Sequence, residues 1–420
     1  MNILLKKARV IDPTSTHHNT VVDIQINNGI ITKIADSIEH TDNTTIVVEK
    51  EDLHVSQGWF DSSVCFGEPG FEERENIQHG LDVAAKSGFT QVAIEPNNNP
   101  ITDNQTIVNF IKHKSFGATT EVFPIGTLTV NAQGTDLAEL YDMQNAGAIA
   151  FGDYKKDITS SNVLKIALQY VQDFDGLVIA YSSDNQIQGK GVANEGIEST
   201  KLGLKGIPCL AEEIQVARNL FLLEYTGGKL HIPTISTIKS IELIKDAKKK
   251  GLAVTCSVAV HHLTLTDERL NEFDTRFKVL PPLRDEATRQ ALINAVIDGT
   301  IDCITSEHNP LDIEHKKLEF DKASFGTIGL ESAFTALNTV LPVEVIVDKL
   351  TKARVLFQLP TVQIKEGEKA NLSLFVTTGE NTFTKTNILS KSHNSAFLNF
   401  NMKGKVLGCI NNNLITLNKE

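Results

Sequence analysis

Long apolar runs are missing from this chain. No stretch of about 18 apolar residues occurs, so no membrane-spanning helix is expected. The N-terminus, MNILLKKARVIDPT, has no apolar stretch followed by a small-residue cleavage site. A secretory signal is therefore not expected, and the expected location is the cytoplasm. Cysteine is scarce and scattered, at Cys65, Cys209, Cys256, Cys303 and Cys409, with no CxxC pair. An odd, dispersed set excludes both a disulfide framework and a zinc ribbon, and reads as mostly buried thiols. Positive charge is in deficit: 40 Lys and Arg against 52 Asp and Glu give a net charge of −12. That balance excludes a general nucleic-acid backbone binder. Low-complexity tracts and internal repeats are also lacking. What remains is an ordinary globular composition, 41% hydrophobic and 22% charged over 420 residues. One large barrel with a small accessory domain fits that length.

The two ends differ from the middle. Ile3–Val10, Val21–Ile26, Ile30–Ile34 and Thr45–Val48 are β-branched runs, and Asn27-Asn28-Gly29 is a tight hairpin turn between two of them. Ala370–Val376, Lys405–Ile410 and Leu414–Leu417 are strand candidates at the other end. Neither end holds enough strands to close a core alone. Residues 1–55 and 366–420 are therefore expected to form one composite β domain, flanking a middle domain over 56–365.

The middle alternates strand and helix. Apolar runs occur at Trp59–Cys65, Thr90–Glu95, Glu121–Leu128, Ala148–Asp153, Leu177–Ser182, Lys229–Pro233, Leu252–Val258 and Ile301–Ser306. Helical patterns fall between most of them. One has Ser236 as expected N-cap and Gly251 at its end; another has Val163, Ile166, Ala167, Tyr170 and Val171 on one face. Eight βα units in about 280 residues predict a (β/α)8 barrel. The competing doubly wound sheet has no GxGxxG after the first strand to support it. A barrel carries its chemistry at the C-terminal ends of its strands. Those ends present Ser63 and Cys65, Asn97, Asp153, Tyr181, Thr234, His261-His262 and Glu307-His308.

Asp61-Ser62-Ser63-Val64-Cys65-Phe66-Gly67-Glu68-Pro69-Gly70-Phe71 is similar to the dihydroorotase signature D-x-H-V-H-x-R-E-P-G-F. Val260-His261-His262-Leu263 resembles the P-H-H-L of that family, and Pro281-Pro282-Leu283-Arg284 its P-P-L-R. Ser324 to Glu331 resembles its x-F-G-x-x-G-L-E, and Ser390-Lys391-Ser392 and Gly404-Lys405-Val406 also fit. The resemblance runs in order along almost the whole chain. It points to the dihydroorotases related to hydantoinases and allantoinases, in the amidohydrolase superfamily. It implies a barrel plus a composite β-sandwich domain, and the reversible cyclisation of carbamoyl aspartate to dihydroorotate in pyrimidine biosynthesis.

The resemblance also implies a site of one or two zinc ions, held by histidines and a carboxylate. Here the two histidines of H-V-H fall on Ser63 and Cys65, and the other two on Tyr181 and Thr234. The bridging carboxylate matches at Asp153, while Glu307 stands for the catalytic Asp. The Arg that binds the substrate carboxylate falls on Gly67; Asn97 keeps the family's asparagine, while Leu280 and Leu311 replace polar residues. The expectation is therefore a catalytically degenerate, dihydroorotase-like chain without zinc, acting as a structural or regulatory partner. The alternative is an active dihydroorotase, or another cyclic amidohydrolase, with a non-standard metal site including Cys65, Asp153 and Glu307. The family implies aspartate transcarbamoylase or an active dihydroorotase paralogue as partner, and a homodimer. His261-His262 and His231 read as structural histidines. Lys155-Lys156 reads as a solvated helix start, and Lys248-Lys249-Lys250 as a helix end.

Overall fold

The computed structural model describes residues 1–39 and 44–418. Residues 40–43 and 419–420, within the ranges expected for the end domain, lie outside the described residues. Among the described residues no helix is long and apolar enough to cross a membrane.

All eight strand runs of the middle are present. Trp59–Val64, Phe89–Ile94, Glu121–Gly126, Ala150–Phe151, Val178–Ile179, Leu230–Ile232, Val254–Ala259 and Cys303–Thr305 pair in that sequential order. Every pairing between neighbours is parallel. The eighth strand closes onto the first: Cys65 donates its N–H to the His308 carbonyl at 2.8 Å, and Asp61 takes the Ser306 N–H at 3.0 Å. Strands buried on both faces read as unbroken apolar runs, which is why the sequence reveals them.

The two ends share one set of strands. They hydrogen-bond in the order Leu414–Leu417, Asn401–Asn411, Leu372–Thr382, Leu53–Gln57, Asn2–Ile11, Val21–Asn27 and Ile30–Ala35, with Ile46–Glu49 on the far part of Asn2–Ile11. The joining strand is Leu53–Gln57, parallel to Asn2–Ile11 and antiparallel to Leu372–Thr382. The sequence reading assigns it no strand, because His54 and Ser56 interrupt its apolar pattern. In the structure His54 stacks on Phe375 at 5.5 Å and Ser56 accepts the Trp59 indole N–H at 3.0 Å.

Two helix expectations need correction. Thr237, not Ser236, is the N-cap of Ile238–Lys249, its side chain accepting the Ser240 N–H. Ser236 is bound instead through its N–H and hydroxyl to the buried Glu212 carboxylate, at 2.9 and 2.5 Å. Helix Ser161–Tyr170 buries Leu164, Ala167 and Leu168, while Ile166 and Tyr170 stay 43% and 42% exposed. The Tyr170 ring leans edge-on against Phe174 at the surface rather than entering the core.

Candidate functional site at the barrel mouth

The strand ends bring Cys65, Tyr181, Thr234 and Glu307 around one side chain that the sequence reading set aside, while Ser63 turns its hydroxyl to Glu95. Lys155 is not solvated. Its Nζ lies 2.5 Å from Glu307 Oε2 and 3.3 Å from the Thr234 hydroxyl, which accepts from it. The ammonium also stands 5.3 Å from the Tyr181 ring centroid and 5.6 Å from that of Tyr154. The side chain is only 17% exposed, and that of Glu307 only 6%. Tyr154, Thr234 and Glu307 all have positive φ, of 54°, 48° and 52°. Such backbone is uncommon outside glycine and clusters at sites where tertiary structure fixes it.

Glu95, at the end of the second strand, completes this cluster and was not singled out from sequence. Burial pushes its carboxyl up to about 8; the Glu307 carboxylate adds to this, while the Ser63 hydroxyl and Lys155 oppose it. Burial also raises the Cys65 thiol and the Tyr154 phenol, which hydrogen-bond each other. Burial raises the Tyr181 phenol too, and Glu212 and Glu307 add to that. These three groups hold their protons at neutral pH.

The linkage sign for Glu95 follows. Its folded pKa lies above its ordinary value, so between about pH 4.5 and 8 the unfolded chain binds fewer protons than the folded one, and stability falls as pH rises. Glu95→Gln is expected to stabilise the fold at pH 8 by a few kcal/mol and to change little at pH 4.5, on the order of the proton linkage. Urea unfolding of both proteins at the two pH values measures this. An equal effect at both would mean that Glu95 ionises normally.

The other predicted residues are accounted for by structural roles. Asp153 accepts the Leu128 and Thr129 N–H groups at 2.9 and 3.0 Å and the Thr129 hydroxyl. Gly67 lies in a tight turn at φ 77°, where a Cβ would sit 2.5 Å from the Phe71 carbonyl oxygen. Asn97 donates its backbone N–H to Glu95 O at 2.9 Å. His231 bonds Thr255 and Ser257 within the barrel, at 2.9 and 3.3 Å, and burial holds it near about 4. His308 is a buried loop histidine whose Nδ1 accepts the Gly329 N–H at 3.2 Å. His262 reaches the Pro281 and Pro282 carbonyls, at 3.1 and 3.3 Å. Lys156 donates to Ala132 O at 3.2 Å, and Lys248 at its helix end pairs with Asp302 at 2.6 Å.

The retained motif residues act as bolts. Arg284 of P-P-L-R is buried and donates to Ser236, Asn194 and the Ile207 carbonyl. Glu331 of G-L-E takes the Leu389 and Ser390 N–H groups and the Ser390 hydroxyl. Above Lys155 a cavity of about 330 Å³ stays open, lined by Tyr154, His261, Leu280, Glu307, Asn309 and Phe325 among others. His261 is buried, and neither of its ring nitrogens has a hydrogen-bond partner. Among the described residues no three His, Cys, Asp or Glu side chains converge as a metal-holding group.

Barrel and end domain together define an amidohydrolase-type fold. The structure superposes on an L-hydantoinase (dihydropyrimidinase) from Arthrobacter aurescens with a TM-score of 0.82, at 19% identity, over 97% of this chain and 94% of that one. A D-hydantoinase (dihydropyrimidinase) from Thermus sp. gives 0.79 at 19% identity, over 99% and 97%. A Dihydro-orotase-like family model matches residues 54–240. The dihydroorotase of Caldanaerobacter subterraneus subsp. tengcongensis is 37% identical over 97% of this chain and 95% of its own length. That of Acetivibrio thermocellus is 37% identical over 99% of each. This chain belongs to the dihydroorotase family.

Proposed function

We propose that this member of the family has exchanged metal chemistry for an internal ion pair, and acts in pyrimidine biosynthesis as a structural or regulatory partner with little or no hydrolytic activity. The observation that carries this reading is Lys155, whose ammonium is bound to Glu307 amid four of the six positions where the resemblance expects metal ligands or the catalytic acid. A catalytic zinc needs about three protein ligands and an open position. Ser63, Tyr181 and Thr234 offer only protonated hydroxyls, the Cys65 thiol is held protonated by burial, and Asp153 is engaged by two backbone N–H groups and the Thr129 hydroxyl. This donor set does not fit zinc. A divalent ion about 4 Å from the ammonium would also meet repulsion on the order of 8 kcal/mol at an effective dielectric of about 20. The proposed partner is aspartate transcarbamoylase or an active dihydroorotase paralogue, by analogy with the family.

Metal content by mass spectrometry, on protein purified without chelator and then offered excess zinc, tests the reading. The expected result is far less than one zinc per chain and no dihydroorotate hydrolysis above background. Stoichiometric zinc with turnover would instead make this chain an active dihydroorotase, or another cyclic amidohydrolase with a non-standard site. Co-elution with aspartate transcarbamoylase on gel filtration at micromolar concentration is expected; clean separation counts against that partner.

A further inference from the structure

Two surface hollows, of about 470 and 510 Å³, share Phe273 and Glu319, and neither shares a lining residue with the cavity at the barrel mouth. Together they make one groove. One wall carries Lys190 and Lys205, brought together where Val192 donates its N–H to the Lys205 carbonyl at 2.8 Å. The other wall is the segment 316–321. Two buried lysines pin that segment. Lys316 donates to the Ser324 and Gly326 carbonyls at 2.9 and 3.0 Å, and Lys278 to those of Phe320 and Asp321 at 2.7 and 3.1 Å. A wall held this way has little freedom left to lose when something binds to it.

Phe273 lines both hollows. Its backbone is left-handed, with φ 53°, and the residue is 47% exposed. For a bulky residue that conformation is an outlier, and asparagine or glycine would adopt it with less strain. The strain holds an aromatic ring toward water instead of burying it. Leu318, in the second hollow, is also 47% exposed.

Charge says what fits between the walls. Lys190 and Lys205 line one hollow and Lys317 the other, and all three are exposed. The carboxylates that line the groove are already answered within the chain. Glu319 pairs with Lys322 at 2.7 Å, Asp274 pairs with Arg276 at 2.5 Å, and Asp321 acts on the buried Lys278 ammonium. The three exposed lysines form no ion pair among the described residues. They are a local surplus of positive charge on a chain whose net charge is −12. A surface of that overall sign repels an acidic chain except at such a place.

We propose that this groove docks an acidic segment of another protein, its carboxylates over Lys190, Lys205 and Lys317 and a large apolar side chain against Phe273 and Leu318. The lining holds no arginine fork, and its exposed lysines are point charges on both walls. That spacing suits carboxylates strung along a chain better than the concentrated charge of one phosphate group. The docking is independent of whether the barrel mouth holds a metal.

Fluorescence anisotropy on the full chain tests this, with a labelled peptide of glutamates and aspartates around one phenylalanine as the probe. Saturable binding with a Kd in the micromolar range is expected at low salt, weakening as added salt shortens the screening length. Lys190→Glu with Lys205→Glu and Lys317→Glu should weaken it at least about tenfold, with unchanged circular dichroism. Phe273→Asn should weaken it about fivefold or more while the melting temperature holds or rises, because asparagine tolerates the left-handed backbone and the lost ring serves the peptide. Absence of saturable binding, binding indifferent to the three lysine changes, or a Phe273→Asn variant that binds like wild type would each overturn the proposal. So would a single-stranded oligonucleotide or a nucleoside triphosphate that binds the groove more tightly than the peptide, since the lysines would then be reading phosphate.

Discussion

Lys155→Ala is expected to destabilise the fold by about 3–5 kcal/mol, the cost of leaving one member of a buried ion pair without its partner. The exposures decide that figure. An ion pair at the surface would be worth about 1 kcal/mol or less, but these two side chains are 17% and 6% exposed. Removing the ammonium leaves Glu307 facing the Glu95 carboxyl and the Tyr154 and Tyr181 phenols with nothing to balance its charge. The double change Lys155→Met with Glu307→Gln removes both charges and should recover most of the loss. Urea unfolding of wild type, Lys155→Met, Glu307→Gln and the double variant gives the coupling energy directly. A loss under about 1 kcal/mol for Lys155→Ala would mean that water screens the pair. The ion pair would then no longer explain why the site lacks a metal.

The second large effect lies at the joint between barrel and end domain. Trp59→Ala is expected to cost about 3–5 kcal/mol, the range for deleting a buried aromatic side chain. Trp59 is fully buried, stacked on Phe334 at 5.1 Å, tilted against Phe375 at 5.3 Å and edge-on to Phe89 at 5.8 Å. Phe375 belongs to the end domain, whereas Phe89 and Phe334 belong to the barrel. The indole N–H bond to Ser56 ties the same two parts together. Trp59 is the chain's one tryptophan, so its fluorescence reports this joint alone while circular dichroism reports the whole chain. In wild type the two transitions are expected to coincide, as for a single cooperative unit. A fluorescence transition at clearly lower urea would show that the joint opens before the barrel unfolds, and Trp59→Ala would then cost less than predicted.

Much of the fold was legible in the sequence, and particular residues show why. Buried parallel strands need apolar residues on both faces, so runs such as Phe89–Ile94 and Val254–Ala259 announce themselves without any partner. Leu53–Gln57 does not. Its polar His54 and Ser56 are useful only because a strand from the far end of the chain brings Phe375, and the barrel brings Trp59, against them. The face of Ser161–Tyr170 was misread for a related reason. Periodicity shows that a helix has an apolar side, but the neighbours decide which of two adjacent arcs is covered.

The site divides along the same line. Sequence alone determined which side chains stand at the strand ends, and hence that serine, cysteine, tyrosine and threonine occur where the family resemblance expects histidine. Chain order fixes those positions, because each follows its own strand. Only the tertiary structure decided what those side chains do. Asp153 matches the family pattern, yet one of its oxygens takes two backbone N–H groups of the neighbouring loop and the other the Thr129 hydroxyl. Lys155 reads as an ordinary surface lysine, yet the positive φ of Tyr154 and the closure of the barrel carry its ammonium to Glu307, a residue 152 positions away in the chain. An ion pair of that kind has no local signature. It depends on desolvation and on distances between strand ends, and both come into being only when the eighth strand closes on the first.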